Sequence, residues 1–423
     1  MRKNKYLIVL LAVLLFGNEK VIAQAYNSYF TGSSTDVVTS PLGGICLMGG
    51  ATENDQAMIW FLERASGGDI LVLRASGSDG YNNYFFSELG VTVNSVETIV
   101  CNQASASENP YVLERIEKAE AIWFAGGNQW NYISYWRNSS VATKINEAIN
   151  QRNVVIGGTS AGMAIQGEYY FSAQNGTVTS SQAMSNPYGN LVTIENESFI
   201  ENEFLIHTVT DTHFDSPDRR GRLATFLARM HVEGIIAPRG IACDEYTAVC
   251  VDDQGIARVF GTAADQDYAY FVTSNCILEN IGPENCSPAN PLTWDANGEA
   301  LVVYRVKGTE EGTGGMNLSN WQQHQGGEWF RWSVVNGVFA QTASSEVACI
   351  SETEEAEQTV IRCYPNPVES VLYFSRKENI ELFDSTGRKI AEGQHDRFDF
   401  TTLPSGPYLL RFLDSNETAR IVH

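Results

Sequence analysis

Apolar and polar positions along this chain follow two periods in turn, and the changes from one period to the other mark its elements. Five short runs, 44-GICLMGGA-51, 69-DILVLRASG-77, 94-NSVETIVC-101, 121-AIWFAGG-127 and 154-VVIGG-158, are dense in β-branched and other large apolar residues and read as strands. Each is followed by helical spacing. Asn54 to Ala65 places Ala57, Met58, Phe61, Leu62 and Ala65 on one side, Gly80 to Leu89 forms a second helix, and Tyr111 to Ala119 a third after Pro110. Further helical segments run to about Ile149. Apolar strands alternating with amphipathic helices imply βαβ units, hence a mostly parallel sheet covered on both faces, a three-layer α/β fold.

Beyond residue 170 the pattern loosens. Residues 171–200 are polar and turn-rich, a loop or small hairpin, and 204-FLIHTVTDTHF-214 returns to strand. Residues 219–231 predict a helix with Leu223, Phe226, Leu227 and Met230 on one face, followed by a hairpin-rich edge to Phe271. Residues 276–345 hold a cysteine-flanked insertion, a strand ALVVYRV and a tract with Trp321, Trp329 and Trp332. Residues 351-SETEEAEQ-358 are charged and poor in large apolar side chains, as linkers are, and residues 361–423 are short alternating strands parted by turn dipeptides, a small all-β sandwich module. The expected division is therefore 1–25, 26–350 with a core at about 43–275, a linker at 351–360, and 361–423.

Composition narrows the setting. Arg2, Lys3 and Lys5 precede the apolar run 6-YLIVLLAVLLFG-17, and Ala23-Gln24-Ala25 supplies small residues at the spacing of a signal-peptide cleavage site. No other run reaches about 18 apolar residues, so no membrane span is expected in the mature chain. Asp+Glu number 50 against 28 Lys+Arg, a net charge of −22, which disfavours nucleic acid and anionic lipid as partners. All eight cysteines lie beyond the signal, and export permits disulfides. Cys276 with Cys286 is the first candidate pair and Cys349 with Cys363 the second, while Cys46, Cys101, Cys243 and Cys250 lie in apolar strand-like runs. No Cys/His pattern has metal spacing, so neither metal nor cofactor is expected.

The chemistry concentrates at Gly158-Thr159-Ser160-Ala161-Gly162. This G-x-S-x-G sits where a strand turns into a helix, the context in which a strained turn presents a serine nucleophile. The N–H of Ala161, next in the chain, is placed to donate to an oxyanion. A serine nucleophile needs a base. Of six histidines, His207 and His213 share strand parity on the run after the loop, and His213 stands at its end, where active-site residues of open α/β sheets collect.

Four motifs in order, FAGGNQ at 124–129, GGTSAG at 157–162, DTHF at 211–214 with R-x-G-R-L at 219–223, and DEYTA at 244–248, resemble the cyanophycinase-like serine peptidases, relatives of alpha-aspartyl dipeptidase (peptidase E). The resemblance covers about residues 43–275. It implies a fold of the class I glutamine amidotransferase-like type, with serine where those enzymes use cysteine. It also implies Ser160 as nucleophile, His213 as general base and Glu245 as the third member; Glu168, Glu195 and Glu197 are other carboxylates near enough in sequence to compete. Gly127 or Asn128 would give a second oxyanion donor beside Ala161, and Gln129, Asp211, Arg219 and Arg222 would meet substrate. Thr212 and Pro217 depart from the family pattern, so a pocket for Asp-Arg units is only partly retained. Arg219, Arg220 and Arg222 either bind a substrate carboxylate or form a solvated helix face beginning at Asp218.

The last module resembles the type IX secretion sorting domain, through Tyr364-Pro365-Asn366-Pro367, Gly387-Arg388-Lys389, Leu403-Pro404-Ser405-Gly406-Pro407-Tyr408 and the final Arg420-Ile421-Val422-His423. With the signal peptide, this implies passage through the periplasm to the cell surface or the medium by the type IX machinery. The expectation is a secreted serine hydrolase acting on a peptide or poly-aspartate-type substrate. The alternative is a non-catalytic binding protein that keeps the scaffold and uses the Trp-rich 321–332 segment.

Overall fold

A computed structural model of the chain describes residues 24–346 apart from 197–198, 263–265 and 279–281, and then 363–364, 368, 370–413 and 418–423. The chain divides into two compact units, Met1–Val347 and Ala348–His423. Most of the expected signal peptide, the whole linker, Cys349, Glu197 and the side chain of Cys363 lie outside the described residues.

The chain enters through β1 (Tyr26–Gly32), β2 (Ile45–Met48), α1 (Asp55–Glu63), β3 (Asp69–Arg74) and α2 (Gly80–Asn83). It continues with β4 (Ser95–Cys101), α3 (Pro110–Lys118), β5 (Ala121–Phe124), α4 (Gln129–Trp136) and α5 (Ser140–Arg152). Then come β6 (Val155–Thr159), α6 (Ala161–Ala164), β7 (Tyr170–Phe171), α7 (Ser180–Ser185) and β8 (Ile194–Glu195). β9 (Thr208–Asp211), α8 (Arg220–Val232), β10 (Arg239–Cys243), β11 (Ala248–Val251), β12 (Ile256–Phe260) and β13 (Tyr268–Ser274) follow. The unit closes with β14 (Leu301–Lys307), β15 (Gly314–Asn317), β16 (His324–Gln325), β17 (Gly327–Val335) and β18 (Val338–Ser344).

A ten-stranded sheet has the order β1-β4-β3-β5-β6-β2-β11-β12-β15-β16. Strands β4, β3, β5, β6 and β2 run parallel, and every other neighbour is antiparallel. The sheet is thus mixed, not mostly parallel. Crossover helices connect the central strands, but β11 returns to β12 through the short turn at 252–255, and a turn that short can only join antiparallel strands. β1, an edge strand, has no counterpart in the periodicity reading; its exposed alternate residues give it little apolar signal.

Alternate residues of the central strands bury into two cores. Ile45, Leu47, Leu71 and Leu73 join the core that holds Val112, Ile133 and Ile145 of α3, α4 and α5; Cys46, Met48, Ile70 and Val72 join the core of Met58, Phe61 and Leu62 on α1. Burial on both faces explains why these strands read as unbroken apolar runs. A second, six-stranded sheet, β18-β17-β14-β13-β10-β9, shares the first core through Ile241 and Phe271 and packs its other face on α8, whose Leu223, Phe226, Leu227 and Met230 are all buried.

Four further expectations change. The strand expected over 204–214 is a single turn of helix at Glu203–Leu205 followed by β9, which ends at Asp211. The 171–200 stretch contains α7, started by a capping box between Thr179 and Gln182. Cys286 is a free thiol while Cys276 is disulfide-bonded, so these two do not pair; Cys286, next to the bridge between Asn285 and Thr293, is partly buried near Arg229 of α8 and Glu233 just beyond it. Trp329 and Trp332 lie in β17, with Trp332 fully buried, and Trp321, ahead of β16, is packed with Trp329 onto the core, so the tract presents no fully exposed tryptophan.

The C-terminal unit is one five-stranded antiparallel sheet among the described residues, β19 (Cys363–Tyr364), β20 (Val371–Phe383), β21 (Lys389–Asp399), β22 (Pro407–Phe412) and β23 (Thr418–Val422). Leu372, Ile380, Leu382, Phe400, Leu410 and Ile421 form its core.

At the amino end of β5, Glu120 is 4% exposed and accepts from the Asp69 N–H at 2.7 Å. Burial, reinforced by the Asp69 charge, pushes its carboxyl up to about 7. A carboxyl with a raised folded pKa contributes fully below its unfolded value near 4.5 and loses that contribution as pH rises through 7. Glu120→Gln keeps an acceptor for Asp69 and removes the charge. It is expected to be more stable than the parent by about 1–2 kcal/mol at pH 8 and no more stable below pH ~5, read by thermal melts across that range.

Candidate active site

Three Gly-Gly pairs end three central strands on the same side of the sheet: Gly49-Gly50 after β2, Gly126-Gly127 after β5 and Gly157-Gly158 in β6. They let the backbones close around Ser160. A side-chain carbon on Gly158 would lie 2.6 Å from the Gly162 backbone, and one on Gly162 only 2.1 Å from the Phe124 carbonyl oxygen. Neither fits.

Between these glycines Ser160 takes φ +52° and ψ −113°, a conformation that non-glycine residues rarely adopt and that surrounding contacts must hold. Its N–H donates to the Met48 carbonyl at 3.0 Å, and its own carbonyl accepts from Met163 and Ala164 of α6. One gap away, a carbon added to Gly126 would lie 3.7 Å from the Ser160 Cβ, so the 126–127 turn borders the hydroxyl.

Ser160 Oγ lies 2.8 Å from His213 Nε2, and His213 Nδ1 lies 2.6 Å from Glu245 Oε1. An ionised carboxylate only accepts, so Nδ1–H donates to Glu245 and Nε2 is left to accept from the serine hydroxyl. The His213 and Glu245 side chains are 25% and 26% exposed, enough for a ligand to reach them. His213 stands beyond β9 at φ +45°, and strand parity therefore does not orient it. The Gly49 carbonyl accepts its N–H at 2.8 Å, and Gly50, at φ +121°, leaves room where any side-chain carbon would sit 2.4 Å from Nε2. The Gly50 carbonyl holds the Tyr246 N–H at 3.1 Å, and Asp215 Oδ1 holds the Glu245 N–H at 3.0 Å. Gly50 and Asp215 are positioning residues absent from the sequence reading. The Gly-Gly that closes β2 carried a visible signal, the same doublet found at 126–127 and 157–158; Asp215 carried none.

Of the competing groups, Glu195 is engaged with Arg137, Glu168 accepts the His207 N–H, and Glu197 lies outside the described residues. Asn128 caps α4 by accepting the Trp130 N–H with its side chain, and Gln129 donates to the Phe171 carbonyl at 2.9 Å, tying α4 to β7. Gly127 has φ +151° and stands near Tyr132 and Ser76, and Ala161 is the first residue of α6.

Two of the expected substrate contacts are corrected. Asp211 and Arg222 are 2% and 3% exposed and hold each other through both oxygens of the carboxylate, with Arg222 also donating to Val178. A pair so buried and mutually satisfied fixes the start of α8 to the end of β9 and has no surface left for a ligand. The arginines at 219–222 are therefore neither one solvated face nor one anion clamp. Arg220 is bound by Asp218, while half-buried Arg219 donates to the Thr212 carbonyl at 2.8 Å. Burial lowers the Arg219 guanidinium to about 10 despite the nearby Asp211, Glu245 and Asp215. Among the described residues no three His, Cys, Asp or Glu side chains gather closely enough to hold a metal ion.

Residues 78–259 match the model of peptidase family S51, and residues 362–422 match that of the secretion system C-terminal sorting domain. The chain is 24% identical over 275 residues to a cyanophycinase of Synechococcus elongatus, covering 63% of this chain and 76% of that protein. It is 24% identical over 176 residues to a cyanophycinase of Geminocystis herdmanii, covering 42% and 58%. A crystal structure of a peptidase from an acI-B1 Actinobacterium aligns with a TM-score of 0.39 at 16% identity, over 53% of this chain and 89% of that one. The likeness read from the four motifs is thus a likeness to peptidase family S51, joined to a sorting domain.

Proposed function

We propose that this chain is an exported serine peptidase that cleaves a peptide or isopeptide bond at an aspartyl unit. The unbroken run of hydrogen bonds from Ser160 Oγ through the His213 ring to Glu245 carries this reading. In it, Ser160 Oγ attacks the carbonyl carbon while His213 Nε2 takes the hydroxyl proton, and Glu245 holds the ring's tautomer and stabilises the imidazolium. The N–H of Ala161, with that of Gly127 or Asn128, receives the oxyanion. His213 then passes its proton to the leaving amine, and water releases the acyl group by the same steps in reverse. In this reading Gln129 and Arg219 would meet substrate. The strained backbone of Ser160 makes it the nucleophile elbow of a framework we assign to the class I glutamine amidotransferase-like type. The sorting-domain match supports export to the cell surface or medium by the type IX machinery, and the cyanophycinase relatives support an aspartyl substrate.

The reading is tested by offering the folded protein a fluorophosphonate probe and, separately, cyanophycin and a set of Asp-X dipeptides, with adducts and products identified by mass spectrometry. Labelling confined to Ser160 and release of aspartyl products are expected. A folded protein that neither takes the label nor releases product is a binding scaffold, not a peptidase.

A further inference from the structure

Cys46 of β2 and Cys250 of β11 stand directly opposite each other in an antiparallel pairing. Their sulfurs are 3.6 Å apart and neither residue is exposed. Across the same seam the Gly49 N–H donates to the Thr247 carbonyl at 2.9 Å, so Gly49 and Thr247 form a hydrogen-bonded pair. Pairs alternate along an antiparallel ladder. Three steps back, Cys46 and Cys250 are therefore a pair of the other kind, whose Cα atoms lie about 4.5 Å apart. That separation is within the ~4.4–6.8 Å that disulfides span, and bringing the sulfurs to about 2.04 Å takes side-chain rotation, not backbone movement.

The other free thiols are placed differently. Cys243 donates to the Leu47 carbonyl at 3.6 Å and, with Cys101, belongs to the core that the two sheets share, whereas Cys46 and Cys250 lie together in the core of α1. Two observations place the chain where thiols are oxidised: Cys276 is disulfide-bonded, and residues 362–422 match a secretion sorting domain. Burial pushes the Cys250 thiol well above its ordinary range, so it does not ionise once the sheet is covered. Any exchange at this pair therefore belongs to folding, before α1 closes over the seam.

We propose that Cys46 and Cys250 are joined by a disulfide as the exported chain folds. The co-reactant is a thiol oxidant of the oxidising compartment that carries a disulfide of its own, either a protein or glutathione disulfide. One cysteine thiolate attacks a sulfur of the oxidant, forming a mixed disulfide and releasing the oxidant's other sulfur as a thiol. The second cysteine thiolate then displaces the sulfur that remains. The chain gives up two electrons and two protons, and the oxidant becomes two thiols. The bond joins positions 204 residues apart and fastens the strand ends behind the His213–Glu245 pair. β2 runs into Gly49 and Gly50, whose carbonyls hold the His213 and Tyr246 N–H groups, and β11 begins just after Glu245. The proposal does not depend on the peptidase reading.

The test is a thiol map of the exported full chain. Free thiols are blocked with N-ethylmaleimide in denaturant, and the unreduced digest is read by mass spectrometry. A cross-linked pair of peptides carrying Cys46 and Cys250 is expected, lighter by two hydrogens than the two thiol peptides, while Cys101 and Cys243 carry the blocking group. Dithiothreitol applied without denaturant should leave the pair linked, because both sulfurs are buried. Folded protein in which Cys46 and Cys250 are both blocked overturns the proposal, as does a bond from either to another cysteine. Melting then measures the staple. The exported protein is expected to melt about 5 °C above the same protein unfolded, reduced and refolded in dithiothreitol, beyond the difference shown by a Cys46→Ala, Cys250→Ala double variant treated the same way. That comparison cancels both the bond at Cys276 and the lost sulfur packing. Equal differences in parent and variant overturn the staple, and the map decides alone if the variant does not fold.

Discussion

Replacing Ser160 by alanine is expected to lower kcat by about 10⁴- to 10⁶-fold on any peptide the parent cleaves, while the melting temperature stays close to that of the parent. The side-chain hydrogen bond of the hydroxyl runs to His213, so its loss leaves the packing intact. The backbone of residue 160 is held by Met48, Met163 and Ala164, whose bonds alanine keeps. Alanine still bears a Cβ at φ +52°, so whatever strain the site stores remains stored. What disappears is the one atom able to form the acyl intermediate. The rate that survives would come from the oxyanion donors and substrate binding alone, which act as a unit with the nucleophile and do not replace it. Single-turnover product release checks the result, and a variant retaining a tenth of the parental rate would remove Ser160 from the reaction.

Glu245→Gln is expected to cost about 10³- to 10⁴-fold in kcat with little change in KM. The amide is nearly isosteric with the carboxylate, and the Glu245 N–H keeps its bond to Asp215. Its chemistry towards His213 changes in kind. A carboxylate can only accept from Nδ1–H, whereas an amide nitrogen can donate to an unprotonated Nδ1 and so favour the ring with its proton on Nε2, the face that must accept from Ser160. The variant also loses the negative charge that stabilises the imidazolium once the proton has moved. An assay over pH distinguishes this from a purely structural role: the remaining rate should rise at high pH, where hydroxide can take the serine proton directly, while the melting temperature stays near the parent's. If Glu245→Gln runs at the parental rate, another carboxylate orients the ring.

Local features of the chain announced themselves because their causes are local. The turn at Ser160 needs glycines on both sides, and those glycines stand in the sequence whatever the rest of the chain does. The buried central strands, the α8 face and the alternating core of the last module follow from periodicity, which records which side of an element is covered. The errors fall where covering is decided by distant segments. The apolar run at 204–214 has strand composition, yet only Thr208–Asp211 pairs, because His207 and His213 turn to positive φ to meet other parts of the chain. Arg222 looks like a solvated or substrate-facing arginine until Asp211, eleven positions back, is found to hold it inside. The ten-residue spacing of Cys276 and Cys286 suggests a disulfide that the fold does not form.

By itself the sequence determined that this is a layered α/β chain with a separate strand-rich end, that a serine sits on a glycine-bounded turn at a strand's end, and that its surroundings resemble one peptidase family. Only the tertiary structure decided which histidine and which carboxylate complete a hydrogen-bonded run with that serine, and which arginine is spent on a buried pair. The physical reason is one of range. Backbone conformation and burial are written in neighbouring residues, whereas the 2.8 Å and 2.6 Å separations that join positions 160, 213 and 245 exist only after three distant segments have closed on the carboxyl end of one sheet.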